Sequence, residues 1–278
     1  MQAKTVLSNS RDDTIAAHRQ AVERVILSMR ERLDEPLSLQ DMAEIAFLSP
    51  FHFNRVFHQT TGLPPAQFLY ALRLEAAKRL LLTTSLSVTD ICYEVGYNSI
   101  GTFTYRFTQL VGLSPRHFRA LAQKIDDSFL ESLFSEGAAM STNASRSPSV
   151  AGRIIMPEPV EGLTFIGLFP TFIPQSRPVG GTLLTSPCSY TIGPVIDGQY
   201  YVFAAAFPPV KNLLAYLLPD AASLLVGVGR RPAIVRKKQA VESVDVALRP
   251  VEITDPPILI ALPLLLVEIL ADDGTVAV

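Results

Sequence analysis

Apolar residues in the first 120 positions recur three and four apart, and the recurrence is itself repeated. Phe53 and Phe57 are followed by Leu63 and Phe68; fifty residues later Phe103 and Phe107 are followed by Leu113 and Phe118. The polar punctuation matches as well. Ser38 and Asp41 open one short helix, Ser49 with Pro50 opens a second, and Gly62 and Pro65 close it; Ser87 and Asp90, then Ser99, then Gly112 and Pro115 do the same in the other copy. A hydroxyl with a carboxylate three residues later forms a capping box, in which each side chain satisfies a backbone amide that the helix start leaves open. The offset is 49 before the turn and 50 after it, because AFLS becomes VGYNS. Two helix-turn-helix units are predicted, each with an inward apolar stripe and an outward face free for recognition.

Between the copies, Ala66 to Thr84 (AQFLYALRLEAAKRLLLTT) contains no glycine or proline, which predicts one continuous helix of roughly 26 to 28 Å. Such a spacer would hold two recognition helices about one DNA turn, near 34 Å, apart. One protomer is then expected to read two successive major grooves.

Past residue 150 the helical period gives way to short apolar runs divided by proline and glycine. LTFIGLFP, GTLLTSP, CSYTIGP, QYYVFAAAFP, SLLVGVG, PAIVRK and VESVDVALRPV are read as strands, whose regular turn signals predict a β-sandwich. In the last run Val244, Val246 and Leu248 alternate with Asp245, Ala247 and Arg249, the pattern of a half-buried strand. Lys211 to Leu218 fits a short helix or a strand. The stretch EGAAMSTNASRSPS at 136–149 reads as a flexible linker. The fold class is therefore multidomain: a disordered N-terminus (1–15), an all-α double helix-turn-helix domain (16–125), a helix end and linker (126–150), and a mainly β, sandwich-like domain for effector response or oligomerisation (151–278).

Charge refines this picture only slightly. The chain has 24 Lys+Arg and 26 Asp+Glu; up to Gln123 the balance is 13 to 11, and after it 11 to 15. That excludes a nonspecific polycationic nucleic-acid binder and leaves recognition to placed arginines and helix N-termini. The histidines His18, His52, His58 and His117 have no metal-ligand spacing, so no metal and no cofactor is expected. Cys92 occupies an inward helix position suited to packing, and Cys188 has no histidine in its own half to activate it, so no catalytic residue and no enzyme activity is expected. With two cysteines and no charged-then-apolar leader, a reducing cytoplasm is the expected location.

The segments LSLQDMAEIAFLSPFHFNRVFHQTTGLPPAQF, RLEAAKRLL and VTDICYEVGYNSIGTFTYRFTQLVGLSPRHFR make residues 16–123 resemble the DNA-binding domain of the arabinose-regulator (AraC-type) transcription factors. The resemblance implies double-stranded promoter DNA and RNA polymerase as partners. It places the first recognition helix on Pro50, Phe51, His52, Asn54 and Arg55, and the second on Ile100, Gly101, Thr104, Tyr105 and Arg106. Arg55 matches guanine O6 and N7, Asn54 matches adenine, and Phe51 or Ile100 suits a thymine methyl; a phosphate contact or surface ion pair is the alternative for Arg55. Ile100 and Gly101 depart from the polar residues common there, which shifts the second helix toward positioning. The strand-and-turn pattern of SYTIGPVIDGQYYVFAAAF, with QAVESVDVALRP, resembles carboxypeptidase-regulatory-like or prealbumin-like sandwich modules, which share no catalytic residues. No cupin-type sugar-binding domain is evident, so a small-molecule effector, if used, is unidentified.

Two further features are candidates for regulation. Arg230, Arg231, Arg236, Lys237 and Lys238 form a basic cluster, either a solvated hairpin or a site for an anionic effector. Ile258 to Leu270 is apolar but too short to span a bilayer, so it is read as core or as a homodimer contact. The overall expectation is a DNA-binding transcription regulator, with a promoter-positioned sandwich scaffold as the rival reading.

Overall fold

The computed structural model describes residues 2–124 and 150–261, apart from short stretches at 157–161, 173, 175–176, 186–188, 194, 210–212, 238 and 241. The expected linker, Cys188, Lys238 and the apolar stretch beyond 261 therefore lie outside the described residues. Helices come first: α1 (Gln2–Glu31), α2 (Leu39–Ala46), α3 (Pro50–Thr61), α4 (Pro65–Thr83), α5 (Val88–Glu94), α6 (Ile100–Val111) and α7 (Pro115–Lys124). α1 starts at Gln2, where the sequence reading has a disordered stretch to residue 15. QAKTVLSNSRDDTI holds no helix breaker, and extending an established helix costs far less than starting one.

The capping boxes form as expected. Ser38 Oγ accepts from the Asp41 amide at 3.2 Å while the Asp41 carboxylate accepts from the Ser38 amide at 2.8 Å. Ser87 and Asp90 repeat this at 3.1 and 3.2 Å. The hydrogen bonds from Ser38 hold the Asp41 carboxyl below its ordinary pKa. Ser49 contributes only an extended backbone, with no side-chain cap bond; Pro50, the next residue, has no amide to satisfy.

The chain forms two compact units. The first comprises Met1–Leu80, Leu86–Ile100 and Glu252–Ile258; the second comprises Leu81–Ser85, Gly101–Val251 and Leu259–Val278. A segment from beyond residue 250 thus clusters with the first helix-turn-helix, and Gly101 to Val251 falls in the second unit. In the first unit Arg73 of α4, only 7% exposed, donates from Nε to the Leu33 carbonyl and from Nη2 to the Glu35 carbonyl, both at 2.8 Å. Gly96, with φ +81°, lies so close that a Cβ there would overlap the Leu33 carbonyl and crowd the Arg73 guanidinium. In the second unit Arg119 of α7 plays the corresponding part, donating to the Leu81 carbonyl at 2.9 Å and the Thr84 carbonyl at 3.5 Å. The first unit also buries Lys78 of α4 (3% exposed); its Nζ donates to the Ile258 carbonyl at 3.2 Å, and desolvation pulls its pKa down to about 8 against the opposing pull of Glu75.

The β region contains β1 (Val150–Ile155), β2 (Leu163–Phe169), β3 (Gly180–Leu184), β4 (Ser189–Ile192), β5 (Gly198–Phe207), a short α8 (Leu213–Leu217), β6 (Leu225–Val228), β7 (Ala233–Arg236), β8 (Gln239–Ala240), β9 (Val246–Ala247) and β10 (Arg249–Pro250). One sheet has the order β4-β1-β9; the larger has β10-β6-β5-β2-β3, with β7 on the start of β5 and β8 on β7. Val150, Ile154, Tyr190 and Val246 of the small sheet share one buried cluster with Ile166, Leu168, Val202 and Ala204 of the large one. β2 is buried on both faces because Phe165, Phe169, Phe203, Phe207 and Tyr216 pack edge to face or tilted on its other side.

Lys211 to Leu218 contains a helix at Leu213–Leu217. The VDVALRP run keeps its alternation, with Val244, Val246 and Leu248 buried, yet it is laddered only at Val246–Ala247 and Arg249–Pro250. Gly152 explains the approach of this run to β1: Val244 N–H donates to Ala151 O at 2.9 Å, and any Cβ on Gly152 would overlap the Val244 carbonyl. Tyr190 also donates its hydroxyl to that carbonyl. The start of the apolar tail is internal, since Leu259, Ile260 and Ala261 are buried and the Ala261 amide donates to Val111 O at 3.2 Å.

Gly96→Ala should destabilise the protein by about 2 to 4 kcal/mol, from a left-handed backbone plus an overlap with an immobile carbonyl; an unchanged midpoint in urea would refute the close approach. Lys78 sets a pH dependence. Unfolded, it loses its proton near 10.5 and folded near 8, so between those values the unfolded state binds more protons and stability rises with pH. Lys78→Met should flatten that alkaline rise in chemical denaturation measured from pH 7.5 to 10.5.

Candidate nucleic-acid interface

α3 and α6 are each seated by three phenylalanines. In α3, Phe53 and Phe57 meet at 5.4 Å between ring centroids, and Phe57 meets Phe68 of α4 at 5.5 Å. In α6, Phe103 and Phe107 meet at 5.8 Å, and Phe107 meets Phe118 of α7 at 5.7 Å. All six rings are fully buried. With period 3.6, burying 53, 56 and 57 turns 51, 54, 55, 58 and 59 outward.

The exposure follows that rule. Phe51, 85% exposed, lies on the free face of α3 with Asn54, Arg55, His58 and Gln59. Pro50 is half-buried at the helix start. His52 is drawn inward: its ring meets His18 of α1 edge to face at 5.2 Å, and its buried Nε2 has no hydrogen-bond partner among the described residues. On α6, Ile100, Gly101, Thr102, Tyr105 and Gln109 are exposed, while Thr104 and Arg106 are half-buried; Tyr105 is 67% exposed. Arg55 and Tyr105 are equivalent positions of the repeat, so a guanidinium on one helix stands where a phenol stands on the other. The sequence reading named neither Gln59 and Gln109 nor Thr102. Carrying the stripe one more turn from Asn54 and Arg55 would have reached the glutamines, and the equivalence with His52 points to Thr102.

Electrostatics favour an anion at both helices. Neither α3 nor α6 has an acidic residue in its first turn, so the partial positive charge of each N-terminus is uncompensated. The acidic caps Asp41 and Asp90 are confined to α2 and α5. In the turn before α3, Phe47 adopts φ +56° and the Arg24 guanidinium lies 5.7 Å from its ring centroid.

The basic cluster of the β region is spread over two turns. Arg230 and Arg231 are exposed between β6 and β7; Arg236 is exposed at the end of β7. Lys237 starts the β7–β8 turn with φ +53° and donates its amide to the Asp197 carboxylate at 2.9 Å. Among the described residues no three His, Cys, Asp or Glu side chains are grouped to hold a metal, and no helix is long and apolar enough to cross a membrane.

Comparison with known proteins agrees with the helix-turn-helix geometry. A family described as a helix-turn-helix domain matches residues 42–121. The melibiose operon regulatory protein of Escherichia coli (strain K12) is 28% identical over 123 residues, 44% of this chain and 41% of that one. The HTH-type transcriptional activator AarP of Providencia stuartii is 30% identical over 98 residues, 35% of this chain and 73% of that one. The bifunctional transcriptional activator/DNA repair enzyme AdaA of Bacillus subtilis (strain 168) is 30% identical over 89 residues, 32% of this chain and 42% of that one. The chain thus spans about two-fifths of the melibiose regulator and of AdaA. With the repeated capping boxes, the phenylalanine triads and the outward faces of α3 and α6, these matches show that the chain belongs to the AraC-type family of DNA-binding transcriptional regulators.

Proposed function

We propose that this regulator reads two adjacent major grooves of promoter DNA, α3 entering one and α6 the other, and that its β-rich half serves effector response or dimerisation. The observation that carries this reading is the pair of outward stripes at equivalent repeat positions, each on a helix held by its own phenylalanine triad. The two helices do unequal work. α3 presents Arg55 and Asn54, whose forked donors and acceptors match guanine and adenine edges, beside Phe51 for a thymine methyl. α6 presents Ile100, Gly101, Thr102 and Tyr105, which offer hydroxyls and apolar surface, and its one exposed amide is Gln109 near the far end of the helix, so it contributes more to register than to sequence choice. His52 acts through packing against His18, and Pro50 through setting the helix start. Thr104 and Arg106 flank the exposed face of α6 and reach the backbone of the DNA. RNA polymerase as a partner follows from family membership alone.

Arg55→Ala should weaken binding to the selected site by about 1 to 3 kcal/mol and relax preference at one base pair. Tyr105→Ala should lower affinity for selected and random DNA alike. Competition binding at fixed salt, with the site chosen from a random pool and footprinted, checks both. An equal loss on both DNAs for Arg55→Ala would make it a phosphate contact, and protection over a single groove would refute two-groove reading.

A further inference from the structure

The first unit is completed by seven residues from far along the chain. Glu252–Ile258 follows β10 in sequence and belongs to the unit built from α1 to α5. It is anchored at both ends. The Glu252 carboxylate accepts from Arg19 Nη2 of α1 at 2.7 Å, and the Ile258 carbonyl accepts from the buried Lys78 ammonium of α4 at 3.2 Å. Between the anchors the segment is stiff. The Glu252 amide donates to the Asp255 carboxylate at 2.8 Å and the Asp255 amide returns to the Glu252 carbonyl at 3.0 Å, closing a turn whose Thr254 is buried. Pro256 and Pro257 then fix φ and leave no amide free to pair elsewhere.

The α1 anchor stands next to the contact that α1 makes with the reading helix. Arg19 follows His18, whose ring meets His52 in the first turn of α3 at 5.2 Å. The exposed Arg19–Glu252 pair is weak by itself, and Arg19 also bonds Glu23 at 3.0 Å. Lys78 is different: a buried ammonium needs an acceptor, and among the described residues the strap carbonyl is the one it has.

We propose that Glu252–Ile258 is a strap that ties α1 to α4 and, through His18 and His52, holds the start of α3, so that reading by the first recognition helix depends on a segment contributed from beyond the β region. Glu252, Ile258 and Lys78 are positioning residues in this arrangement. The inference rests on α3 being a DNA-reading helix, but the strap itself is tested without DNA.

The experiment uses the full chain with three variants: Glu252→Lys, the double change Pro256→Gly with Pro257→Gly, and Lys78→Met. Lys78→Met removes the donor together with a buried charge, so it loosens the strap without requiring loss of fold. Amide hydrogen exchange without DNA should quicken at least threefold in α1 around Arg19 and in α4 around Lys78. On the selected site, footprint protection should fall first over the groove assigned to α3 and persist over that assigned to α6. Unchanged exchange in all three variants would overturn the strap. Faster exchange with unaltered protection, or an equal loss over both grooves, would overturn its link to α3. Arg55→Ala run in parallel separates the two readings: if it leaves protection intact, the assignment of α3 fails, while the exchange result still decides the strap.

Discussion

A guanidinium that gathers the carbonyls of an incoming loop underlies both helix-turn-helix units. The backbone must stop before Ser38 and again before Ser87 so that each capping box can form, and stopping leaves carbonyls without helical partners. Arg73 takes those of Leu33 and Glu35; Arg119 takes those of Leu81 and Thr84. Glu35 and Thr84 each lie three residues before their capping serine, so the two arginines act at the same point of the repeat although they come from different places in the helix that follows. Burial lowers the pKa of Arg73, but a guanidinium remains charged at any ordinary pH, and the planar fork pairs with two carbonyls where a lysine would offer a point charge. Gly96 is the counterpart of this arrangement, since only a residue without Cβ lets the second turn close over Leu33.

With the loop fixed, the rotation of α3 and of α6 is set by their phenylalanines. Three rings at edge-to-face or tilted contact define one rotation of the helix about its axis, because turning it by one residue would expose a ring and bury Asn54 or Arg55. The rotation that turns this stripe outward is therefore a consequence of core packing. His52 shows the limit of that logic: it is one residue from Phe51, yet the helical angle carries it toward α1, where it packs on His18 rather than facing outward.

The local parts of this design are legible in the sequence because they depend on residues a few positions apart. Capping boxes, the glycine and proline stops, the uninterrupted α4 and the apolar runs that became β2 to β7 all belong to this class. Features set by long-range contacts were not legible. Arg73 and Arg119 sit at unequal offsets from Phe68 and Phe118, so the repeat does not display them as a pair. β1 was missed because VAGRII begins at the end of a small, polar stretch and carries a glycine whose purpose is the approach of Val244. The sequence carries no local signal for the strap, and only its acceptors for Arg19 and Lys78 reveal its place.

Near-neutral charge gives these placements their consequence. With 24 basic and 26 acidic residues, the chain has little bulk attraction for DNA, so the proposed reading rests on a few correctly aimed groups and two helix N-termini. Such groups lose their value when displaced by about 1 Å. A weakly charged reader therefore depends on rigidity behind its recognition helices more than a polycationic one would. Spending a buried lysine and a stiff Pro-Pro segment on the back of the first unit is consistent with that demand: Lys78 costs stability at neutral pH, and what the arrangement supplies in return is a fixed relation between α1 and α4.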